Sequence, residues 1–589
     1  MALIAVIYLA KLFVIQVLDE NYAAAAEKYS IKKVIEYPYR GLIYDRNGKL
    51  IVYNKPVFDI QATPKDVYIP DTASLCRLLE LTPDELRARL DSAKSYHWYK
   101  PSTFVKQIPL EQFARIQDYL IDYRGFTITP RTIRSYPYKS MGTALGYIAE
   151  ISKDQLAADK ERYYRMGDYI GKSGIELSYE EPLRGKRGVR HIMVNRIGIE
   201  QGPFKNGQYD TMSIPGKNLV STIDIELQNY IEKLLEGKVG GVVAIEPKTG
   251  EILALASAPF YDPNLLTGRD YSKNFAALAG DTLLPLYNRP LMATYAPGSM
   301  FKTVQALVAL QEGVITTDEQ IFCEGGLIGD HAPPGYYDVI KGIKLSSNNY
   351  FYKVFKRVLN QGASPNTFVD TRIGFEKWRK YITAFGLGVP LNVDLPNVNG
   401  GFVPTPEYYD YYYGRDRWKF STIYSLSIGQ GELLATPLQM ANLAAIIANK
   451  GYYYSPHIIK AIGEDGQPLP QYREKHVTPI DSVHYNAIID AMDAVVESGT
   501  GQYRAKLKNI RVCGKTSTVE NPHGEDHSGF IAFAPKDNPQ IAIAAYVENA
   551  GQGARAAAAI ASLAIEKYLQ GKTDRPHIEQ YVLRGQFLH

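Results

Sequence analysis

Tyr295-Ala-Pro-Gly-Ser-Met-Phe-Lys302 is the stretch on which the fold and chemistry of this chain turn. Pro297-Gly298 predicts a turn, and Ser299 to Gln311 reads as a helix closed by Gly313. Ser299 therefore stands at a helix N-terminus, where free backbone N–H groups favour developing negative charge. Lys302 follows three residues later on the same face, about one turn away and within reach of the Ser299 hydroxyl. A lone serine is a weak nucleophile and needs an adjacent base. Lysine serves as that base only if burial and a positive neighbourhood lower its pKa from about 10.4. Taken alone, Ser-x-x-Lys is a weak signal, since it more often describes a capping serine beside a solvated lysine.

Two further elements change the balance. Ser346-Ser-Asn348, within Lys344-Leu-Ser-Ser-Asn-Asn-Tyr-Phe-Tyr352, precedes an aromatic helix, where its polar groups are placed to project into a cleft or to cap the helix. A third element is expected on a strand carrying Lys-Thr-x. The literal match Lys248-Thr-Gly250 precedes Ser299 in the turn of a hairpin and reads as turn chemistry, with Gly250 supplying a positive φ. Gly514-Lys-Thr-Ser-Thr518 fits better, because it lies on a β-prone segment after the helices and is followed by two more strands. Ser-x-x-Lys, Ser-x-Asn and Lys-Thr-x in that order, separated by over 40 and over 160 residues, are far more specific together than apart.

Around these elements the chain predicts an α+β domain. It opens near Leu219-Val-Ser-Thr-Ile-Asp224, continues in an amphipathic helix over Ile225 to Leu235, and forms strands over Gly240 to Ile245 and Glu251 to Ala256. Strand candidates return at Ile510 to Val519, Gly529 to Ala534 and Gln540 to Val547, before an Ala-rich helix from Ala554 to Tyr568. The sheet is thus assembled from both ends of the domain with helices inserted between. Upstream, Arg40-Gly-Leu-Ile-Tyr-Asp-Arg-Asn-Gly48 and Lys49-Leu-Ile-Val-Tyr53 form a hairpin about an Asn-Gly turn. Residues 60 to 130 read as a small α+β insertion with helices over Thr82 to Lys94 and Leu110 to Ile121. The Gly-rich run Gly167-Asp-Tyr-Ile-Gly-Lys-Ser-Gly-Ile-Glu176 invites a phosphate-loop reading but lacks the spacing and the preceding strand that a phosphate loop requires.

The 589 residues allow two to four domains. With 66 basic against 62 acidic residues, the formal charge of +4 is too slight to imply a nucleic-acid partner. Three distant cysteines, Cys76, Cys323 and Cys513, exclude a disulfide framework and a zinc ribbon. Ala2 to Leu18 is an apolar run broken only by Lys11 and Gln16, at the short limit for spanning a bilayer, and predicts an uncleaved anchor. A cleaved signal, with Ala23 to Ala26 as a small-residue site, and a buried core helix are the other readings. Tyr22 to Lys33 beyond it is helix-prone. No cytoplasmic arm precedes the run, as a shortened gene start would explain, so orientation cannot be taken from flanking charge. Tyr is in excess, 45 copies against 20 Phe, and suits wet grooves. Tyr408-Tyr409 and Tyr411 to Tyr413 are placed to line one.

With these motifs in place the chain resembles the class B penicillin-binding proteins, in their elongation branch. The resemblance runs over nearly the whole chain and includes Gly171-Lys-Ser-Gly-Ile-Glu176, Leu183-Arg-Gly185, Ser427-Ile-Gly-Gln-Gly-Glu432 and Ala435-Thr-Pro-Leu-Gln439. It implies an anchor at residues 1–18, a mixed α+β pedestal of the dimerisation type at 19–215 with the insertion around 60–130 as its head, a transpeptidase domain at 216–570 with a five-stranded antiparallel sheet flanked by helices, and a tail at 571–589. It further implies an inner-membrane, single-pass, periplasmic enzyme that crosslinks peptidoglycan stem peptides by D,D-transpeptidation, with carboxypeptidase as a side activity and no cofactor. Ser299 would form the acyl-enzyme and Lys302 take its proton. Ser346 would relay a proton to the departing D-Ala, and Asn348 would bind the donor peptide and orient Lys302. Lys515, Thr516 and Thr518 would hold the substrate carboxylate, beside Ser517. The N–H groups of Ser299 and Thr518 would form the oxyanion hole. β-Lactams would acylate Ser299 as substrate mimics. Glycan polymerisation would fall to a SEDS-family glycosyltransferase of the RodA type, since no such domain is recognisable in the chain.

Ser517 departs from the family, which usually has Gly there, and the expectation is narrowed or altered β-lactam access rather than inactivity. A division-specific paralogue and a catalytically weak scaffold or β-lactam sensor are the alternatives. Cys323, Asp330, His331 and Asp338 cluster where some relatives carry zinc, but their spacing is irregular and no metal is assigned. His523 and His527 fall in a loop between two sheet strands near the site.

Overall fold

Strands from the two ends of the catalytic region meet in one sheet. In the computed structural model, which describes residues 2–14, 31–195, 200–463, 467–521, 524–585 and 587, these strands are numbered in chain order: β1 (Gly240–Ile245), β2 (Ile252–Ala258), β3 (Cys513–Val519), β4 (His527–Ala534) and β5 (Ile541–Val547). They lie in the order β2-β1-β5-β4-β3, every pair antiparallel. Gly240 pairs with both Ala258 and Val547, and Ser517 pairs with Gly529. β3 is an edge strand, so one of its sides is open to the site.

Period-two alternation decides which helix covers which face. Val242 and Ala244, Ala254 and Ala256, Phe530 and Ala532, and Ile543 and Ala545 share a core with α1 (Ile225–Leu235) and the Ala-rich terminal helix Ala557–Gln570. On the other face β1, β4 and β5 pack against the helix Pro437–Ala448, all twelve of whose residues are buried. Its N-terminus is a capping box in which Thr436 and Gln439 bond reciprocally.

The chain divides into two compact units, one of residues 1–42 and 181–218, the other of residues 43–180 and 219–589. The smaller holds a three-stranded antiparallel sheet of Ile31–Glu36, Gly188–Val194 and Glu200–Pro203. The helix-prone stretch from Tyr22 to Lys33 is therefore extended from Ile31 onward, because Lys32 and Lys33 pair with Ile192 and His191, while 22–30 lie outside the described residues. The apolar run from Ala2 to Leu18 is described only in part. Its described helix covers only Ala2–Phe13, which rises about 18 Å against the roughly 30 Å of a bilayer's hydrocarbon core. Among the described residues no helix is long and apolar enough to cross a membrane, and Ile15 to Leu18 lie outside them.

In the larger unit the hairpin Ile43–Tyr44/Leu50–Ala62 turns on Asp45, whose carboxylate accepts the N–H groups of Asn47 and Lys49 at 2.8 and 2.7 Å. The insertion is present, with helices Thr72–Leu79, Pro83–Tyr96 and Leu110–Leu120 packed with strands of the same sheet over Ile60, Leu75, Phe104, Ile108 and Ile116. Gly171 to Glu176 forms a packed turn. Gly174, at φ 56°, lies against the 144–146 backbone, where a Cβ would meet Ala144 O at 2.4 Å. Glu176 closes the motif from inside: its carboxylate accepts from Arg134 Nε at 2.7 Å, both side chains fully buried, and Arg134 also donates to Asn54 at 3.0 Å. Cys76, Cys323 and Cys513 are buried and free.

Removing one member of a buried ion pair strands the other charge, at a cost of about 3 to 5 kcal/mol, whereas replacing both by apolar groups is often neutral. Glu176→Ala should therefore lower the urea unfolding midpoint clearly, and Glu176→Leu combined with Arg134→Met should recover most of the loss. Equal midpoints for wild type and Glu176→Ala would show that the pair is not a structural constraint.

Candidate active site

The turn carrying Ser299 is built on glycine. Gly298–Phe301 is a 3-10 turn that runs into α2 (Lys302–Gln311), so the helix expected from Ser299 takes its α-form three residues later. Gly298 has φ 54° and donates its N–H to Gly429 O at 2.8 Å. Gly429, in the Gly-Gln-Gly segment, lies so close that a Cβ there would meet Gly298 O at 2.3 Å. Glu432 of the same segment accepts from Tyr409 OH at 2.9 Å. Gly313, at φ 65°, follows the last turn of α2.

Lys302 points into the protein and is fully buried. Its Nζ donates to Ser346 O at 2.7 Å, to Ser346 Oγ at 3.2 Å and to Asn348 Oδ1 at 2.5 Å. None of these bonds goes to the Ser299 hydroxyl, which is partly exposed at the mouth of the turn. Lys515, also fully buried, donates to Ser346 Oγ at 2.9 Å and to Thr516 O at 3.0 Å. One hydroxyl thus bridges two amines brought together from positions 169 residues apart in the case of Ser346 and Lys515.

Burial lowers Lys302 to about 7, against the smaller opposing pull of the Asp330 charge. Burial, and secondarily the neighbouring Lys302, hold Lys515 well below the usual lysine range. Placing the second amine in the same dry pocket disfavours the charged form of Lys515 further.

The helix cap in this loop falls to Ser347, whose Oγ accepts from Tyr350 N at 3.2 Å at the start of α3 (Asn348–Leu359). That leaves Ser346 for the lysines, in the left-handed region at φ 58°. Asp330 holds the conformation. It accepts from Ser347 Oγ at 2.8 Å, Asn349 N at 2.9 Å and Asn349 Nδ2 at 3.0 Å, while Asn348 Nδ2 donates to Gly329 O. Asp330 is thus structural, in keeping with the irregular spacing that left it without a metal assignment. This role has no local signal, since its partners lie 17 and 19 residues away. Asp338 caps the helix Val339–Lys344 through Lys341 N, and burial pushes the Cys323 thiol up. Among the described residues no group of His, Cys, Asp and Glu is arranged to hold a metal ion.

On β3, Lys515 and Ser517 share one face and Thr516 and Thr518 the other. Thr516 Oγ1 bonds Thr500 Oγ1 at 2.7 Å, a partner without any signature in the sequence, and exposed Thr518 accepts from Gly553 N at 3.2 Å. Ser517 is 1% exposed and donates to Pro297 O at 3.1 Å. Its hydroxyl is thus turned inward, toward the peptide unit between Pro297 and Gly298. His527 is the first residue of β4 rather than a loop residue, ring to ring with Tyr295 at 5.8 Å, and burial depresses its pKa. His523 lies outside the described residues. Tyr409 is a core residue against Phe375 and Trp418, whereas Tyr411 and Tyr412 are exposed. Lys248-Thr-Gly250 is the β1–β2 turn, with Gly250 at φ 78°.

Residues 240–566 match the penicillin binding protein transpeptidase domain family, and residues 35–221 match the penicillin-binding protein dimerisation domain family. The chain is 30% identical to the peptidoglycan D,D-transpeptidase MrdA of Haemophilus influenzae, over 95% of this chain and 88% of that protein. Among solved structures it is similar to penicillin-binding protein 2 of Helicobacter pylori in complex with MreC, with a TM-score of 0.74 at 25% identity over 92% of this chain and 99% of that one. It is also similar to a chain of a peptidoglycan synthase complex that coordinates polymerization and crosslinking, with a TM-score of 0.71 at 25% identity over 100% of this chain and 96% of that one. Family match, full-length relatives and the triple motif converge: the chain belongs to the class B penicillin-binding proteins, and within them to the penicillin-binding protein 2 type.

Proposed function

We propose that this protein is a serine D,D-transpeptidase that crosslinks peptidoglycan stem peptides during cell elongation and is acylated by β-lactams. The observation that carries the reading is the Lys302–Ser346–Lys515 bridge beside Ser299. Ser299 Oγ attacks the carbonyl of the D-Ala-D-Ala peptide bond and passes its proton to neutral Lys302. The N–H groups of Ser299 and Thr518 hold the resulting oxyanion. As the C–N bond breaks, the proton returns through Ser346 to the departing D-Ala amine, leaving the acyl-enzyme. The amine of a second stem peptide then attacks the ester carbonyl, Ser299 recovers its proton, and the crosslink is released.

Lys515, Thr516 and Thr518 receive the donor's carboxylate. A carboxylate beside Lys515 favours its charged form, and that charge in turn favours neutral Lys302, so donor binding itself prepares the base. Asn348, bonded to Lys302, orients it. In this proposal residues 1–18 anchor the chain in the inner membrane with its bulk in the periplasm, residues 19–215 form the pedestal, 216–570 the transpeptidase domain and 571–589 a tail. Partners of the pedestal and anchor include a SEDS-family glycosyltransferase. Support for assembly with other proteins comes from the similar chains solved with MreC and in a peptidoglycan synthase complex.

Fluorescent penicillin should label the wild-type protein at Ser299, as read by mass spectrometry of the adduct, and leave Ser299→Ala unlabelled. Lys302→Arg, which keeps charge but cannot act as a base, should acylate on the order of 10²- to 10⁴-fold more slowly. Undiminished labelling of Ser299→Ala would reject the assignment. The acylation rate should rise with pH through about 7, the value to which burial brings Lys302, because the base works only once it has lost its proton. A flat profile between pH 6 and 9, roughly spanning that ionisation, would exclude Lys302 as the base. Depleting the protein in its own cells should produce rounded cells; filaments would assign it to division instead.

A further inference from the structure

We propose that Ser517 is a positioning residue for the nucleophile: its hydroxyl ties the edge strand β3 to the peptide unit that precedes Ser299 and sets the spacing of the two oxyanion donors. The inference rests on the acyl-enzyme reading above.

A peptide unit is a rigid plane with an acceptor on one edge and a donor on the other. The unit joining Pro297 to Gly298 is held at both. Its carbonyl accepts from Ser517 Oγ at 3.1 Å, and its N–H donates to Gly429 O at 2.8 Å. One grip comes from the sheet and the other from the Gly-Gln-Gly segment, so the plane cannot rotate without breaking one of them. Glycine at 298 makes such grips necessary as well as possible. At φ 54° it occupies a conformation that glycine enters and leaves with little penalty, and Ser299 is the next residue. The fit is also steric: a Cβ on Gly298 would meet Ser517 Oγ at 2.3 Å, so the hydroxyl fills the space that the missing side chain leaves.

The strand end of the tie is fixed. Ser517 pairs with Gly529 in the ladder, and Gly553 presses behind it so tightly that a Cβ there would meet Ser517 O at 2.0 Å. The bond is excluded from water, since Ser517 is 1% exposed. It links residue 517 to residue 297, one and two residues from the N–H groups of Thr518 and Ser299. Glycine, usual for the family at this position, has no atom with which to make the bond.

The test compares wild type, Ser517→Ala, Ser517→Gly and Ser517→Thr as the full chain, using a chromogenic cephalosporin in stopped flow to separate noncovalent affinity from the acylation rate constant. A single net hydrogen bond corresponds to about five- to tenfold in rate. Ser517→Ala and Ser517→Gly should both lose that factor in the acylation rate constant with affinity unchanged, and Ser517→Thr, which keeps the hydroxyl, should recover it. Amide hydrogen exchange provides a readout apart from turnover: Gly298 and Ser299 should exchange faster in Ser517→Ala while the helix Pro437–Ala448 stays protected. Ser517→Ala matching wild type in both measurements overturns the proposal. So does a faster Ser517→Gly, which would make the side chain an obstruction, or a loss confined to affinity, which would make it a ligand contact. Absence of any adduct at Ser299 in wild type would instead overturn the acyl-enzyme reading, and the positioning role with it.

Discussion

Two lysine amines buried in one pocket, bridged by a single serine hydroxyl, are the constraint from which the site follows. An unpaired ammonium in a dry interior is expensive, and a pair of them more so. Burial lowers the pKa of both Lys302 and Lys515, and both find acceptors: the carbonyl and hydroxyl of Ser346, the amide of Asn348, and Thr516 O. To offer both its oxygens, Ser346 must adopt φ 58°. That conformation costs a non-glycine residue of the order of 1 to 3 kcal/mol and persists only where the surroundings over-determine it. Ser347 as the cap of α3 and Asp330 as the acceptor for the next residues supply that determination.

The same economy of space governs the wall opposite. Gly429 lies so close to Gly298 O that a side chain there would collide with it, while a Cβ on Gly298 would collide with Ser517 Oγ; the close approach lets the Gly-Gln-Gly segment bond directly to the nucleophile turn. Behind the sheet, the fully buried helix Pro437–Ala448 and the Ala-rich helix Ala557–Gln570 hold the strands in place from either side. Rigid elements thus carry Lys302, Lys515 and the strand donor, while Gly298, in a conformation that suits glycine, is gripped between them.

Much of this was legible in the residue order. Short, nearly continuous apolar runs located all five strands of the catalytic sheet to within a few residues, because strands buried on both faces carry few polar residues. The Ser-x-x-Lys, Ser-x-Asn and Lys-Thr-x elements proved to be neighbours, as their joint occurrence implied. Local chemistry also separated the turn at Lys248-Thr-Gly250 from the strand at Lys515, since the following residues in one case form a hairpin and in the other an edge strand. Less legible were the partners that act across long separations. Asp330 carries the chemistry of a metal ligand and serves as a hydrogen-bond acceptor, and Thr500 and Tyr409 carried no signal of what they would meet. The inward bond of Ser517 to Pro297 O was equally hidden, because a strand's alternation gives its faces but not which of them is open.

By itself the sequence determined the residue types of the chemistry and the strands and helices that bear them, since these follow from periodicity, turn residues and side-chain pKa ranges acting over a few residues. Only the tertiary structure decided the protonation of Lys302, the sharing of Ser346 between two amines and the inward turn of Ser517. Each depends on burial and on contacts made by residues far apart in the chain, and desolvation is a property of the packed site that no single residue possesses.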